Sequence, residues 1–441
     1  MNREDRELVR HLTDDVWFRD CEGWSRRNFL KIGLTGVLAL SLPDILQLRA
    51  MASPIQTRKR SVIMLFMGGG PSHIDTFDPK PDAGPDYMGP MKAIPTNVDG
   101  VMINEGLPRL AQMMDRIALV RSMGSGENSH QRAQHLLQTG YTPLASLEYP
   151  SYGSVVARER GGEKSLPNYV SVYQRADGYG PGFFGDTYAP FLAGDPNRRG
   201  FKFPDGTPPR QVDAERMSRR RALLRAIDTM RRDDDRMKAL DSFYSKAFAI
   251  MEDPEAREAF EISREPEQLR ERYGRNSFGQ SCLLATRLVE AGVDYVTVTM
   301  QGWDTHERNF ESLPNRLLPT IDRAMSALFE DLQRRGLWDS TLVVWTGEFG
   351  RTPKVNKNAR PGRDHWGAAW TVLLAGCGIR GGTVVGRTDG LGQKVVESPV
   401  SPSSLAATIY ERIGIDYKKY YETPAGRPIR LAASDPIPGL V

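Results

Sequence analysis

Apolar runs and polar breaks alternate along this chain at the spacing of strands and helices. Residues 61–67 form a continuous apolar run with no polar alternation, as expected of a strand covered on both faces. A turn-rich loop follows to about residue 108, dense in Gly, Pro and Asp. A short helix is expected over 107–115 and a strand over 117–120. Helical periodicity covers 129–139 and 152–160, and a strand pattern covers 169–173. Residues 174–210, rich in Gly, Pro and aromatics, are expected to form a long surface excursion. Strand–helix alternation resumes with helix 279–291, strand 293–300, helix 314–335 and strands 341–346 and 370–375. The last helix, 401–413, opens on Ser401-Pro402-Ser403-Ser404. There a hydroxyl can cap the free amides and proline suits the first turn. These repeated units predict an α/β fold with a mostly parallel sheet flanked by helices.

Two stretches depart from that rhythm. Residues 211–272 are dense in Arg, Asp and Glu, with Met237, Leu240, Tyr244, Phe248 and Met251 at helical spacing. They are expected to be a helical insertion: a lid or dimer contact, or a solvated helical pair packed on the main body. The other is the N-terminus. Arg26-Arg27 stands before Phe29-Leu30-Lys31 and a short apolar run over 32–42, with Ala50-Met51-Ala52 further on. The run is too short for a bilayer, which takes ~20 residues. Paired arginines, a short apolar stretch and a small-x-small site match a twin-arginine export signal. The expected division is therefore a signal over 1–52, a linker over 53–60 and one domain over 61–441. It implies export by the twin-arginine machinery to a periplasmic or extracytoplasmic location, with no membrane-spanning segment in the processed chain.

Composition adds limits. The 441 residues are 26% charged and 39% hydrophobic, an ordinary globular balance. A net charge of +4 from 59 basic and 55 acidic residues comes without a basic stripe interleaved with aromatics, which argues against nucleic-acid binding. Cys21 leaves with the signal, and Cys282 and Cys377 are too few and too distant for a disulfide framework. Oligomeric state is not legible.

The polar residues that could carry chemistry cluster where strands end or begin, the usual place for sites in open α/β sheets. Asp304 and His306, in Gly302-Trp303-Asp304-Thr305-His306, are two apart and so share one side of extended backbone. They offer a carboxylate and an imidazole to a divalent ion. Glu348 and Arg351 follow the strand at 341–346. Glu348 can ligate a metal and Arg351 can fork to a tetrahedral oxyanion, or the two can pair with each other. His365 is a further ligand candidate, with Asp364 orienting an imidazole or capping the turn. After the first strand, Gly68-Gly69-Gly70-Pro71-Ser72-His73 could bring backbone amides at Gly70 and Ser72 to an anion. The dinucleotide fingerprint spacing is absent. Asp75 and Asp78 are ligands or turn caps, and His73 is an alternative ligand or a supporting residue. Asn128-Ser129-His130 opens a helix whose start favours an anion. Ser129 would contact the anion or cap the helix. His130 would act as acid/base, as nucleophile or as a ligand. His135 points elsewhere and is read as structural.

Taken together these motifs resemble the sulfatase-like family known as domain of unknown function 1501, within the alkaline phosphatase and sulfatase superfamily. The resemblance spans roughly residues 60–435. It rests on the twin-arginine signal, Gly68-Gly69-Gly70-Pro71-Ser72 with Asp75-Thr76-Phe77-Asp78-Pro79-Lys80-Pro81, Arg121-Ser122-Met123 and Thr139-Gly140. Trp303-Asp304-Thr305-His306, Glu348-Phe349-Gly350-Arg351-Thr352-Pro353 and Asp364-His365-Trp366 complete it. It implies an alkaline-phosphatase-like three-layer αβα sandwich with two metal subsites around a phosphate or sulfate ester. Counting back from Thr139-Gly140 puts His130 where the superfamily has Ser, Thr or Cys. Glu348-Phe349-Gly350 stands where it has Asp-His-Gly, and the first-strand carboxylate is displaced to Asp75. Asp304, His306 and His365 match one subsite. The implied activity is exported, metal-dependent hydrolysis of a sulfate or phosphate ester on a small molecule or polysaccharide. The ion would be Zn, Mn or Fe for mixed ligands, with Mg or Ca for a carboxylate-rich set. The alternative is a non-catalytic protein that kept the fold and binds a metal or anion.

Overall fold

The computed structural model describes residues 59–162, 164–173, 180–201, 219, 249–250 and 253–440. The expected export signal, most of the expected linker, and Met237, Leu240, Tyr244, Phe248 and Met251 of the insertion lie outside the described residues.

Strand β1 (Ser61–Gly68) is buried along its whole length. Its side chains sort by parity onto two cores, because successive residues of a strand face opposite ways. Val62, Met64 and Phe66 join one core with Leu137, Tyr152, Val156, Leu405 and Ile409. Ile63, Leu65 and Met67 join the other with Leu283, Leu288, Leu328 and Leu332. Helices α1 (His130–Thr139), α2 (Tyr152–Arg160) and α5 (Pro402–Arg412) therefore cover one face. Helices α3 (Ser277–Glu290) and α4 (Leu318–Arg334) cover the other. This is the three-layer sandwich implied above, and two-sided burial is why the first strand shows no polar alternation.

The remaining strands of the central sheet are β2 (Ile117–Met123), β3 (Tyr169–Val172), β4 (Phe191–Gly194) and β5 (Tyr295–Gln301). After them come β6 (Thr341–Thr346), β7 (Trp370–Ala375) and β8 (Val384–Val385). Their order is β8-β2-β7-β6-β1-β5-β3-β4, and only β7 runs against its neighbours. Register sets the site. Gly68 lies opposite Gln301, Phe66 opposite Thr346, and Met123 opposite Trp370. The ends of β1, β2, β5 and β6 and the start of β7 thus share one edge of the sheet.

Several expectations are refined. Within the excursion expected over 174–210, Phe191–Gly194 is the edge strand, paired parallel to β3. Only Phe191 and Ala193 face inward, too short a pattern to stand out. Strand β2 runs past 120 because the Arg121 guanidinium is accommodated: it donates to the Met102 carbonyl at 2.8 Å and lies 3.5 Å from Asp78. In the described end of the insertion, helices Pro254–Phe260 and Glu267–Tyr273 bury Phe260, Leu269 and Tyr273 in the core beneath α3 and α4. That part is packed on the main body. Ser401 caps α5 through the Ser404 amide, with Pro402 in the first turn. Cys282 and Cys377 are buried free thiols. Among the described residues no helix is long and apolar enough to cross a membrane.

Candidate metal centre

The loop after β1 lets the other loops close in. Gly69 and Gly70 have φ of 112° and 78°, a region that only glycine enters freely. A Cβ at Gly69 would stand 2.3 Å from the Asp304 nitrogen, and one at Gly70 2.5 Å from the Phe349 ring. Their backbone polar groups have internal partners: the Gly69 amide donates to Glu348 at 2.9 Å, and the Gly70 carbonyl accepts from Arg351 Nε at 2.9 Å. Ser72 Oγ accepts from the Asp75 amide at 3.1 Å. Gly70 and Ser72 thus build the turn, where an anion contact was expected. Ser129 occupies the N-cap position of α1 and makes no side-chain cap bond.

Above this loop four side chains converge. The Asp304 Oδ1 atom lies 3.0 Å from His306 Nε2, 3.2 Å from His365 Nε2 and 3.3 Å from His130 Nε2. His306 Nε2 and His365 Nε2 are 2.8 Å apart. Ligand atoms around an ion with bonds of ~2.0–2.1 Å stand about 3 Å apart, so the Asp304–His306–His365 triangle has the edges of a coordination face. His130, Asp304 and His365 also form a group able to hold a metal ion.

The outer nitrogens say which way each ring is protonated. His306 Nδ1 is 2.7 Å from Asp364 Oδ1, His365 Nδ1 is 2.8 Å from the Asn128 carbonyl, and His130 Nδ1 is 2.7 Å from Glu348 Oε1. Carboxylates and carbonyls only accept, so each Nδ1 carries a proton, and each Nε2 is left facing Asp304 Oδ1. The Nε2 atoms of His306 and His365 crowd to 2.8 Å, and the buried Nε2 of His130 has no hydrogen-bond partner. A cation among them removes both penalties. The residues present therefore fit a divalent metal.

Charges agree. Burial raises the Asp304 carboxyl, but the Arg351 hydrogen bond and charge, with His130 and His306, outweigh it and hold the group at about 2. Asp304 is ionised at neutral pH. The hydrogen bond to Glu348 raises His130, and burial lowers His365. The Asp304 side chain is 47% exposed and those of His130, His306 and His365 are 33%, 38% and 23% exposed, while Glu348 and Arg351 are fully buried beneath them.

Other expected site residues are placed differently. Arg351 does not pair with Glu348. Its Nη2 lies 2.5 Å from Asp304 Oδ1, and it also donates to the carbonyls of Gly69, Gly70 and Arg363. It holds Asp304, where contact with an ester had been expected. Asp75 stands outside the cluster in a two-pronged ion pair with Arg363, at 2.6 and 2.9 Å, and accepts from Asn309 at 3.0 Å. Asp78 accepts from Lys80 at 3.0 Å and from Thr388. His73 is buried with Nε2 2.9 Å from the Gly392 carbonyl. His135 is buried near Tyr149, away from the cluster.

Sequence reasoning missed Asn128, Gln134, Arg363 and Phe349. Gln134 donates to Glu348 at 3.2 Å. Phe349 lies against the rings of His130 and His365, with centroids 5.0 and 4.7 Å away. A Gln one helical turn after His130 was a readable signal; a backbone carbonyl at Asn128 left none.

A family model described as Protein of unknown function (DUF1501) matches residues 59–441. No curated protein matches the chain. Among solved structures the chain is similar to the PsFucS1 sulfatase from Pseudoalteromonas sp., at 13% identity and a TM-score of 0.40, covering 84% of this chain and 70% of that one. It is also similar to a phosphonate monoester hydrolase from Silicibacter pomeroyi (13%, TM-score 0.33, 81% and 74% covered). A third is a protein in the alkaline phosphatase superfamily from Vibrio parahaemolyticus (10%, TM-score 0.36, 81% and 67% covered). Values this low leave the chemistry to the chain's own residues.

Two expectations follow from the placements of Asp75 and His73. Asp75→Asn strands the buried Arg363 charge, so urea unfolding should show a loss of about 3–5 kcal/mol. Metal content at saturating metal should stay unchanged, and its loss would return Asp75 to the ligand set. Burial pushes the His73 imidazole below its ordinary value, more than Asp78 and the Gly392 carbonyl push it up. The unfolded chain, with a pKa of ~6.5, then takes the proton first as pH falls. Stability from neutral His73 is present above ~6.5 and is lost on acidification, by up to about 1.4 kcal/mol per pH unit. His73→Gln keeps a donor for Gly392 and removes the titration. Its urea midpoint should fall less than that of the parent between about pH 7 and about pH 5, and parallel curves would contradict this assignment.

Proposed function

The chain belongs to the family of proteins of unknown function DUF1501, and from that premise we propose that it is an exported, metal-dependent hydrolase of sulfate or phosphate esters. The observation that carries the reading is the convergence of three imidazole Nε2 atoms on an ionised Asp304, each ring held by an acceptor on its other nitrogen. Asp304, His306 and His365 would hold the ion, with His130 and Glu348 beside it. When bound, such an ion polarises an ester oxygen and makes water more acidic.

The chain's own residues do the rest. Arg351 fixes the Asp304 carboxylate, and Asp364 and Asn128 fix the rings of His306 and His365. Burial of Glu348 and Arg351 keeps solvent off the back of the cluster, and its open side leaves room for an anionic ester. Zn, Mn and Fe suit a mixed nitrogen and oxygen set. A sulfate or phosphate ester of a small molecule or polysaccharide is the substrate class.

A second reading has its own observation. Where the family resemblance calls for a hydroxyl or thiol, His130 opens α1 with its Nε2 turned toward Asp304. That arrangement also suits a protein that binds a metal and an anion without turnover.

Purified protein assayed on a panel of sulfate and phosphate esters should lose hydrolysis on chelation and regain it when metal is restored. His306→Ala should lower it by more than the ~10–100-fold that loss of a ligand's outer partner costs. Hydrolysis surviving both removes the hydrolase reading, and bound metal without turnover on any ester selects the second. Export is proposed from Arg26-Arg27, the apolar run over 32–42 and Ala50-Met51-Ala52. Fractionation of cells carrying Arg26→Lys with Arg27→Lys should show unprocessed protein retained in the cytoplasm. Unchanged delivery of that double variant would end the twin-arginine assignment.

A further inference from the structure

We propose that His130 is a ligand of the metal, making a centre of three imidazoles and one carboxylate that takes an ion of the zinc, cobalt or iron(II) class and rejects calcium and magnesium. The proposal rests on the reading of this cluster as a metal site and replaces the acid/base or nucleophile role that the sequence suggested for His130.

Three observations lead there. First, His130 repeats the construction of the two other rings. His306 has Asp364 on Nδ1, His365 has the Asn128 carbonyl, and His130 has Glu348 at 2.7 Å. An acceptor on the outer nitrogen is the usual support of a metal-binding imidazole. Glu348 is itself held by the Gly69 amide at 2.9 Å and by Gln134 at 3.2 Å, so the His130 ring is fixed from two layers out.

Second, the inner nitrogen has nothing else to do. His130 Nε2 is buried without a hydrogen-bond partner, and the nearest charged atom is Asp304 Oδ1 at 3.3 Å. Its ligand atom, that of Asp304 and that of His365 all lie within 4.8 Å of one another. A nucleophile or proton donor needs that atom open to an incoming ester; here it is turned toward the Asp304 carboxylate. The ring is packed by His365 at 4.3 Å and Phe349 at 5.0 Å between centroids, which blocks the swing that would open it.

Third, the donor set is short of oxygen. Calcium takes 6–8 oxygen ligands, and magnesium takes carboxylate and water oxygens in an octahedron. Of the nearby carboxylates, Glu348 Oε1 is engaged by His130, Gly69 and Gln134, and Asp364 Oδ1 by His306. Asp75 is engaged by Arg363. Asp304, whose Oδ1 also accepts from Arg351 at 2.5 Å, is set apart by facing the Nε2 atoms of three histidines, and imidazole-rich sets suit Zn, Fe, Ni and Cu over Mg and Ca.

The test reads coordination, so it stands apart from any hydrolysis assay. The purified chain, stripped of metal, is titrated with cobalt(II) while its visible absorption is recorded, and with calcium and magnesium by calorimetry. Cobalt should bind with visible bands of low-coordinate nitrogen ligation, and calcium and magnesium should bind at least ~100-fold more weakly. His130→Gln should weaken cobalt by at least ~100-fold and change the bands, and Glu348→Gln by ~10–100-fold, as for loss of a ligand's outer partner. X-ray absorption of the cobalt-loaded parent chain counts imidazoles without any variant: three support the proposal and two overturn it. Calcium binding as tight as cobalt, or a folded His130→Gln with parental affinity and bands, also overturns it. Intact cobalt binding without ester hydrolysis would sink the hydrolase reading and leave this one standing.

Discussion

One buried guanidinium holds the centre together. Arg351 is wholly inaccessible to solvent, and its partners come from three separate stretches of chain: Asp304 after β5, the carbonyls of Gly69 and Gly70 after β1, and the Arg363 carbonyl before β7. An arginine cannot shed its proton, and a buried charge without a partner is costly. The loops must therefore meet around it, and one of them must bring a carboxylate. That carboxylate is Asp304, held at about 2, so the residue that neutralises Arg351 is also the anion on which the imidazoles converge. The level strand ends supply the geometry and Arg351 supplies the reason the loops stay closed.

The centre is built in layers outward from that pair. Imidazoles form the first, their acceptors the second, and the partners of those acceptors the third: Glu348 is tied to Gly69 and Gln134, and Asn128 Oδ1 accepts from the Gly367 amide at 2.7 Å. A second buried arginine, Arg363, does similar work one step away. Through Asp75 and the carbonyls of Thr352, Pro353 and Tyr87 it fixes the loop that carries Asp364 and His365. Two arginines with no exposure thus set two neighbouring loops, and the histidines between them need little freedom of their own.

How much of this could be read from the chain depends on how local each signal was. The central strands announced themselves because burial on both faces leaves an unbroken apolar run, as in β1 and β6. Asp304 and His306 were legible from a spacing of two at a strand end, and His365 from its place before β7. Asp75 was not legible, because its partner Arg363 lies 288 residues away and nothing around Asp75 distinguishes an ion-paired carboxylate from a ligand. Arg351 was seen as a cation but not as a buried one, since its burial is made by loops distant in sequence. Asn128 acts through its backbone carbonyl, which carries no side-chain signature, and β4 shows only two inward residues.

Phe349 favours one metal over two in the proposed centre. The resemblance puts an imidazole of a second subsite at this position. In its place stands a phenyl ring with no exposure, lying against His130 and His365. A phenyl ring offers no lone pair to an ion, and its face fills the space beside the carboxylate of Glu348, which is taken up by His130, Gln134 and the Gly69 amide. Once Glu348 supports His130, the atoms of a second subsite have become the outer layer of the first. On the proposed coordination the phenyl at 349 and the imidazole at 130 form one arrangement, the His130 ring lying against Phe349 while its Nδ1 meets Glu348.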